Sequence, residues 1–290
     1  MGFRTVVVTQ HSKVSYRMNQ IIIQTDDDVF QIPISDIDVL LIGTTQAVIT
    51  GHAVMRLVQE SVKLIFCDDK GFPVGEMNGY YTNQNRNVNI ELQIKWNDLR
   101  KKNLWQKITQ IKVTHQMRLL QEKRLNDLGF SELIGEVELG DETNREAVAA
   151  RMYFPRLFGS DFTRKNESHT TNAKLNFGYS ILLSAVTREI QSYGYLTEIG
   201  IHHDSIANVF NLSSDLMEPF RPLIDRIVKQ NEHVEFGREV KLALISALNE
   251  SIRINNHESQ LITALSEYVR QALDYLSEKT EHLPEWEMEL

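Results

Sequence analysis

Apolar positions change rhythm partway along this chain. In the first part they fall in short β-branched runs; later they recur at helical spacing. Thr5-Val6-Val7-Val8-Thr9, Gln20-Ile21-Ile22-Ile23-Gln24 and Val29-Phe30-Gln31-Ile32-Pro33 each predict a strand. Polar punctuation at His11-Ser12-Lys13 and Asp26-Asp27-Asp28 separates them. Asp38-Val39-Leu40-Leu41-Ile42-Gly43 and Val62-Lys63-Leu64-Ile65-Phe66 add two more strands. Between those, the stretch from Thr50 to Glu60 reads as one short helix.

Tyr81-Thr82-Asn83-Gln84-Asn85-Arg86-Asn87 is amide-rich and has no period, which predicts a linker over 81–90. Beyond it Ile108, Ile111, Met117, Leu119 and Leu120 begin one helical face. Leu175, Tyr179, Leu182, Leu183, Val186 and Ile190 repeat near 3.6 residues. Residues 240–248 and Leu261, Leu265, Val269, Leu273 and Leu276 predict the last helices. The expected class is α+β: a small N-terminal β-sheet domain over 1–80, then a larger all-α-helical lobe over 91–290.

Composition changes this picture little. The 290 residues, 42% hydrophobic and 24% charged, are ordinary for a globular protein. No apolar run approaches the ~20 residues needed to cross a bilayer. The opening residues enter a strand pattern rather than a signal-peptide layout. A single cysteine, Cys67, fits a reducing compartment, so the cytoplasm is expected, with no membrane association. Net charge is −8, but its distribution is uneven. Residues 92–130 hold nine basic side chains against three acidic ones; from 231 onward five basic face twelve acidic. Solvated helix faces explain both, and phosphate binding is the alternative for the basic stretch.

Three motifs carry chemistry. Arg145-Glu146-Ala147-Val148-Ala149-Ala150-Arg151, Gly200-Ile201-His202-His203 and Asp215-Leu216-Met217-Glu218-Pro219-Phe220-Arg221-Pro222 each set a metal-capable side chain among small or apolar neighbours. A glutamate, a histidine and a second carboxylate can hold a divalent cation with positions left open for phosphate oxygens. Each also has a plainer explanation. Glu146 suits a helix N-terminus. Either histidine can be structural. Asp215, after the capping residues Ser213 and Ser214, suits the first turn of a helix, on the same face as Glu218. Asn172 can cap the helix that follows Thr170-Thr171. Pro219 and Pro222 break the segment and aim Glu218 inward.

In that order and with those flanks, the motifs resemble the CRISPR-associated integrase family, the DNA-integrating subunit of spacer acquisition. Residues 64–75 are similar to that family's last amino-terminal strand and turn, and Asn172-Ala173-Lys174-Leu175-Asn176-Phe177-Gly178-Tyr179 to its central-helix signature. The compact length resembles the type II form. The resemblance implies a metal-dependent DNA integrase and endonuclease, in which a 3′-hydroxyl attacks a phosphodiester at a CRISPR repeat. It implies catalytic Glu146, His203 and Glu218, with Asp215 joining them as a ligand of Mg²⁺ or Mn²⁺. His203 rather than His202 preserves the family spacing of fifteen residues to Glu218. Arg151, Arg164, Asn172 and Arg221 become the expected DNA contacts. The partners it implies are double-stranded DNA, a second copy through the N-terminal domain in a homodimer, and a small ferredoxin-like adaptation subunit. Two other readings stand beside it: a non-catalytic DNA-binding scaffold, and a helical metal phosphohydrolase built on His203-Asp204 with His169 and Asp225.

Overall fold

The computed structural model describes residues 4–69, 73–77, 79, 83–166, 169–254, 257–286 and 288–289. It divides into two compact units, Met1–Thr82 and Asn83–Leu290.

The first unit holds β1 (Arg4–Val8), β2 (Lys13–Arg17), β3 (Gln20–Gln24), β4 (Val29–Pro33), β5 (Ile37–Ile42), β6 (Val48–Ile49), α1 (Gly51–Gln59), β7 (Lys63–Cys67) and β8 (Pro73–Met77). They form two four-stranded sheets, in the orders β1-β5-β7-β8 and β4-β3-β2-β6. In the first sheet β1, β5 and β7 run parallel and β8 returns antiparallel. In the second, β2, β3 and β4 form an antiparallel meander, with β6 parallel to β2. Val8, Val14, Ile21, Leu40, Leu57 and Leu64 bury their side chains in one core shared by the sheets and α1. The five strands and the helix expected from the apolar runs are present. Lys13–Arg17, which begins in the punctuation at His11-Ser12-Lys13 and carries no expected element, is a strand: it buries only Val14 and forms by backbone pairing with β3. Lys70, Gly71 and Phe72 of the family-like turn lie outside the described residues, as do Tyr81 and Thr82 of the expected linker.

The second unit is mostly helical: α2 (Arg86–Ile94), α3 (Asp98–Glu122), α4 (Phe130–Gly135), α5 (Arg145–Phe158), α6 (Thr170–Ser192), α7 (Asn211–Met217), α8 (Arg221–Gln230), α9 (Arg238–Ser246) and α10 (Leu261–Leu276). Arg86 and Asn87 belong to a helix rather than a linker. Asn89 and Gln93 explain the difference: both are buried and donate to the carbonyls of Tyr193 and Leu196, so the amides pack instead of facing solvent. Nor is this lobe all-helical, since β9 (Ser251–Ile254), β10 (His257–Gln260) and β11 (Met288–Glu289) form a three-stranded sheet.

α6 runs through the middle of the lobe and meets α7, α8, α9 and α10. Gly178 makes that possible, because a Cβ there would lie 2.4 Å from Ile224 Cγ2 and 3.1 Å from Leu244 Cδ2. The fully buried Ala149 in α5 likewise lets α3 and α5 close over Val113, Leu120 and Tyr153. Near the C-terminus one side chain is docked on the lobe. Trp286, 5% exposed, packs its ring on Phe220 and Tyr268 at 6.0 and 5.2 Å between centroids. Glu287 lies outside the described residues. No helix among the described residues is long and apolar enough to cross a membrane.

Candidate metal centre

Glu146 enters α5 in its first turn, but capping is done by others. Asp141 accepts from the backbone N–H of Arg145 (2.8 Å) and of Glu146 (3.0 Å), and Asn144 accepts from that of Ala147. Gly140, Asp141 and Asn144 all take left-handed backbone conformations to bring these acceptors round. The Glu146 carboxylate is therefore released from the helix end.

Glu218 starts a 3-10 turn, Glu218–Phe220, between α7 and α8. Pro219 supplies no N–H there, so α7 stops and Glu218 turns into the lobe, 4% exposed. His115, buried on α3, donates from Nδ1 to the Pro219 carbonyl at 2.8 Å and fixes the turn.

Glu146 and Glu218 meet on one cation, the ammonium of Lys112 from α3. Lys112 pairs with Glu146 Oε1 and with Glu218 Oε2, the latter at 2.5 Å. Arg221 holds the other oxygen of Glu218 at 2.9 Å and lies over the Tyr179 ring, 4.6 Å from its centroid. Burial alone would push the Lys112 ammonium below the ordinary lysine range; Glu218 and Glu146 more than reverse this and hold it above. For Glu218 burial works toward protonation, and Arg221 and Lys112 overcome it, keeping the carboxylate ionised below its usual range.

Asp215 does other work than the sequence assigned it. Fully buried, its carboxylate accepts from the backbone N–H of Ile201 (2.6 Å), His202 and His203 (both 3.1 Å), and from His203 Nδ1 (2.6 Å). With four donors on two oxygens, it anchors the Gly200–His203 loop. Nor does it cap α7, which begins at Asn211; Ser213 is buried and accepts from the Thr187 hydroxyl. Gly200 is required beside it, since a Cβ would come within 2.3 Å of the His203 carbonyl and 2.8 Å of Asp215 Oδ2.

The histidine doublet divides accordingly. His202 stacks flat on Trp105, 4.2 Å between ring centroids at 3°. His203 stands edge-on to that ring with Nδ1 committed to Asp215, so Nε2 is the nitrogen open to a ligand. A carboxylate on the far nitrogen fixes tautomer and orientation, as it does behind metal-bound histidines. The hydrogen bond to Asp215 raises the His203 pKa despite partial burial, with Glu218 adding to the rise. A cleft of about 440 Å³ opens along this loop, bounded by Lys101, His202, His203, Asp204 and Asn208.

No group of three or more His, Cys, Asp or Glu side chains among the described residues is gathered closely enough to hold a metal ion. Two carboxylates nevertheless already share one cationic centre. His203 lies near enough to Glu218 for each to shift the other's protonation. Two carboxylate oxygens and an imidazole nitrogen are suitable donors for a hard divalent cation. In donor type Glu146, Glu218 and His203 fit one, although the three side chains are not gathered round a single point.

The expected DNA contacts separate into three cases. Arg221 belongs to the centre. Arg164, half-buried, is held by Asn172 Oδ1 (2.5 Å) and Asn176 Oδ1 (2.7 Å) and lies 5.4 Å from the Tyr179 ring centroid. Asn172 itself is 1% exposed and donates to the carbonyls of Thr163 and Asn166, so it shapes the loop before α6. It is not the cap either: His169 Nδ1 accepts from the Thr171 N–H. Arg151 is exposed, with Nε on the Ala147 carbonyl of its own helix.

Much of the basic stretch is spent internally. Lys101 pairs with Asp98, Lys102 with Glu142, Lys123 with Glu122, and Arg100 with Glu281 at 2.5 Å. Sequence reasoning missed Lys112 within it, and gave Tyr179 only a place on a helical face and Asp225 only one in the rival phosphohydrolase site. The Tyr153 hydroxyl donates to Asp225 at 2.8 Å and the Tyr179 hydroxyl to its other oxygen. Burial, opposed by these bonds, pushes Asp225 up to about 6. Asp225 and His169 are thus engaged elsewhere, and among the described residues they are not gathered with His203 and Asp204.

Comparison with known proteins agrees across nearly the whole chain. The sequence model of the family described as CRISPR associated protein Cas1 matches residues 5–232. The CRISPR-associated endonuclease Cas1 of Neisseria meningitidis serogroup C (strain 8013) is 33% identical over 277 residues, covering 93% of this chain and 90% of that protein. Among solved structures, a casposase bound to its integration product superposes with a TM-score of 0.80 at 19% identity, covering 97% of this chain and 92% of that one. A Cas6-RT-Cas1–Cas2 complex gives 0.74 at 18% identity, covering 96% of this chain and 35% of the other.

Proposed function

Because the chain belongs to the CRISPR-associated Cas1 family, we propose that it is a metal-dependent DNA integrase and endonuclease of CRISPR spacer acquisition, of the type II form. Glu146, His203 and Glu218 are the ligands of Mg²⁺ or Mn²⁺ in this reading. One observation supports it most: Glu146 and Glu218, 72 positions apart, converge on a single cationic point with His203 held beside them. When bound, the cation lowers the pKa of the attacking 3′-hydroxyl and neutralises charge growing on the phosphate oxygens.

The chain's own residues do the rest. Asp215 fixes the His203 ring with Nε2 free and sets the loop backbone. Arg221 keeps Glu218 ionised, and its guanidinium, with that of Arg164, supplies positive charge on either contact with Tyr179. One phosphodiester is exchanged for another, so no nucleotide triphosphate is consumed. Strand order in the N-terminal unit leaves β4 at an edge with Val29 and Phe30 more than half exposed, which supports that unit as the homodimer contact. Double-stranded DNA and a small ferredoxin-like adaptation subunit complete the assembly.

The test is strand transfer of a short labelled duplex into a supercoiled plasmid carrying a CRISPR repeat, with the small subunit and Mn²⁺ present. Wild type yields joined product; Glu146→Ala loses it and still binds DNA. Product surviving in Glu146→Ala refutes this metal centre.

A further inference from the structure

Lys112 sits where a lysine is costly. Its side chain is 8% exposed, on the face of α3 between the buried Ile111 and Val113, and it ion-pairs with both acids of the centre. Charges around it balance without any metal: Glu146 and Glu218 against Lys112 and Arg221. Asp215 and His203 form a separate pair alongside. Two carboxylates facing each other in a buried site repel, and an uncompensated buried charge is strongly destabilising. The ammonium is what lets them stand together.

A dication drawn to the same oxygens meets that ammonium at contact distance, where like charges repel most strongly. One must yield. Arg221 is not placed to do so, since its guanidinium lies on the Tyr179 ring and holds the outer oxygen of Glu218. Lysine is: a compact charge on a flexible four-carbon stem, with no planar fork to lock it in place.

We propose that Lys112 is a displaceable counter-cation, whose ammonium holds Glu146 and Glu218 together before metal arrives and leaves their oxygens when the divalent cation binds. The inference rests on the reading of those two acids as metal ligands. It makes Lys112 a positioning residue that sets how tightly the centre takes metal.

The test reads metal binding and amine accessibility on the full chain. Mn²⁺ is titrated by calorimetry into wild type, Glu146→Gln and Lys112→Met. In parallel, wild type with and without Mn²⁺ is labelled with acetic anhydride and mapped by mass spectrometry. Lys112 is expected to be protected in metal-free protein and to label about tenfold faster with Mn²⁺, while Lys174, bound to three backbone carbonyls, stays protected in both. Lys112→Met is expected to bind Mn²⁺ about tenfold more tightly, because no cation need be displaced. Mn²⁺ binding in wild type that is lost in Glu146→Gln, with Lys112 labelling unchanged, overturns the inference and keeps the ligands. Absent or unaltered Mn²⁺ binding in wild type and Glu146→Gln alike overturns both. Should Lys112→Met fail to fold, the wild-type labelling carries the test.

Discussion

Replacing Asp215 by alanine separates an anchor from a ligand. Its carboxylate takes three backbone N–H groups and the His203 imidazole, from 2.6 to 3.1 Å. Hydrogen bonds to a charged partner contribute about 1.5–3 kcal/mol each. The Ile201 N–H is buried and finds no water once Asp215 is gone, whereas the amides of the exposed His202 and His203 can turn to solvent. Counting Ile201 in full and the others in part, and deducting the desolvation cost of the buried carboxylate, leaves a loss of about 2–4 kcal/mol. For a lobe of this size that is a Tm about 5–15 °C lower. Freed of Asp215, His203 loses its fixed orientation, and Mn²⁺ affinity falls about 10–100-fold. Calorimetric Mn²⁺ titration and a thermal melt on the same sample measure both. Glu146→Ala should abolish Mn²⁺ binding outright, so the variants differ in kind. A Tm unchanged in Asp215→Ala, with Mn²⁺ binding lost as completely as in Glu146→Ala, would make Asp215 a ligand and refute this reasoning.

The remaining predictions use the same lobe. Gly200→Ala drives a Cβ into the His203 carbonyl, and strand transfer should fall about 100-fold, whereas Gly237→Ala, whose Cβ meets nothing, should leave it unchanged. Asp225 has its pKa raised from 3.8 to about 6, so between those values the native state holds a proton that the unfolded chain lacks. Its contribution to stability therefore grows as pH falls through 6 and is absent above; wild type should gain about 1 kcal/mol on Asp225→Asn between pH 7 and 5, and a difference that stays flat in paired denaturant titrations contradicts the assignment. Trp286→Ala removes a ring buried on Phe220 and Tyr268 and should cost about 3–5 kcal/mol, read as a lower urea midpoint; an unchanged midpoint would show the tail undocked in solution.

What the sequence disclosed and what it hid follow from the range of the interactions. The strands of the N-terminal unit were legible wherever apolar residues ran together, as at Ile21–Ile23 and Val39–Ile42. β2, β6 and the β9–β11 sheet were not: Lys13–Arg17 and His257–Gln260 are mostly polar, Val48–Ile49, Ser251–Ile254 and Met288–Glu289 are too short to show a period, and all exist through backbone pairing with a neighbour. Glu146, His203 and Glu218 stood out as isolated polar residues in small or apolar frames. Asp215 also stood out, but its loop contacts span 12 to 14 positions and no helical period encodes them. Lys112 was invisible: one lysine among nine basic residues of its stretch, distinguished only by acids 34 and 106 positions away. Asn172 misled for the opposite reason. Its amide type at a helix start has a familiar local use, and the structure spends it on the preceding loop.

The central claim is that His203, aimed by Asp215, joins Glu146 and Glu218 at one metal that drives DNA strand transfer. Its most direct test is strand transfer in Mn²⁺ by wild type, His203→Ala, His202→Ala and Glu218→Ala, each checked for fold and DNA binding. Wild type and His202→Ala are expected to give product, and His203→Ala and Glu218→Ala none. Product from His203→Ala together with its loss in His202→Ala would contradict it, placing the stacked histidine at the metal.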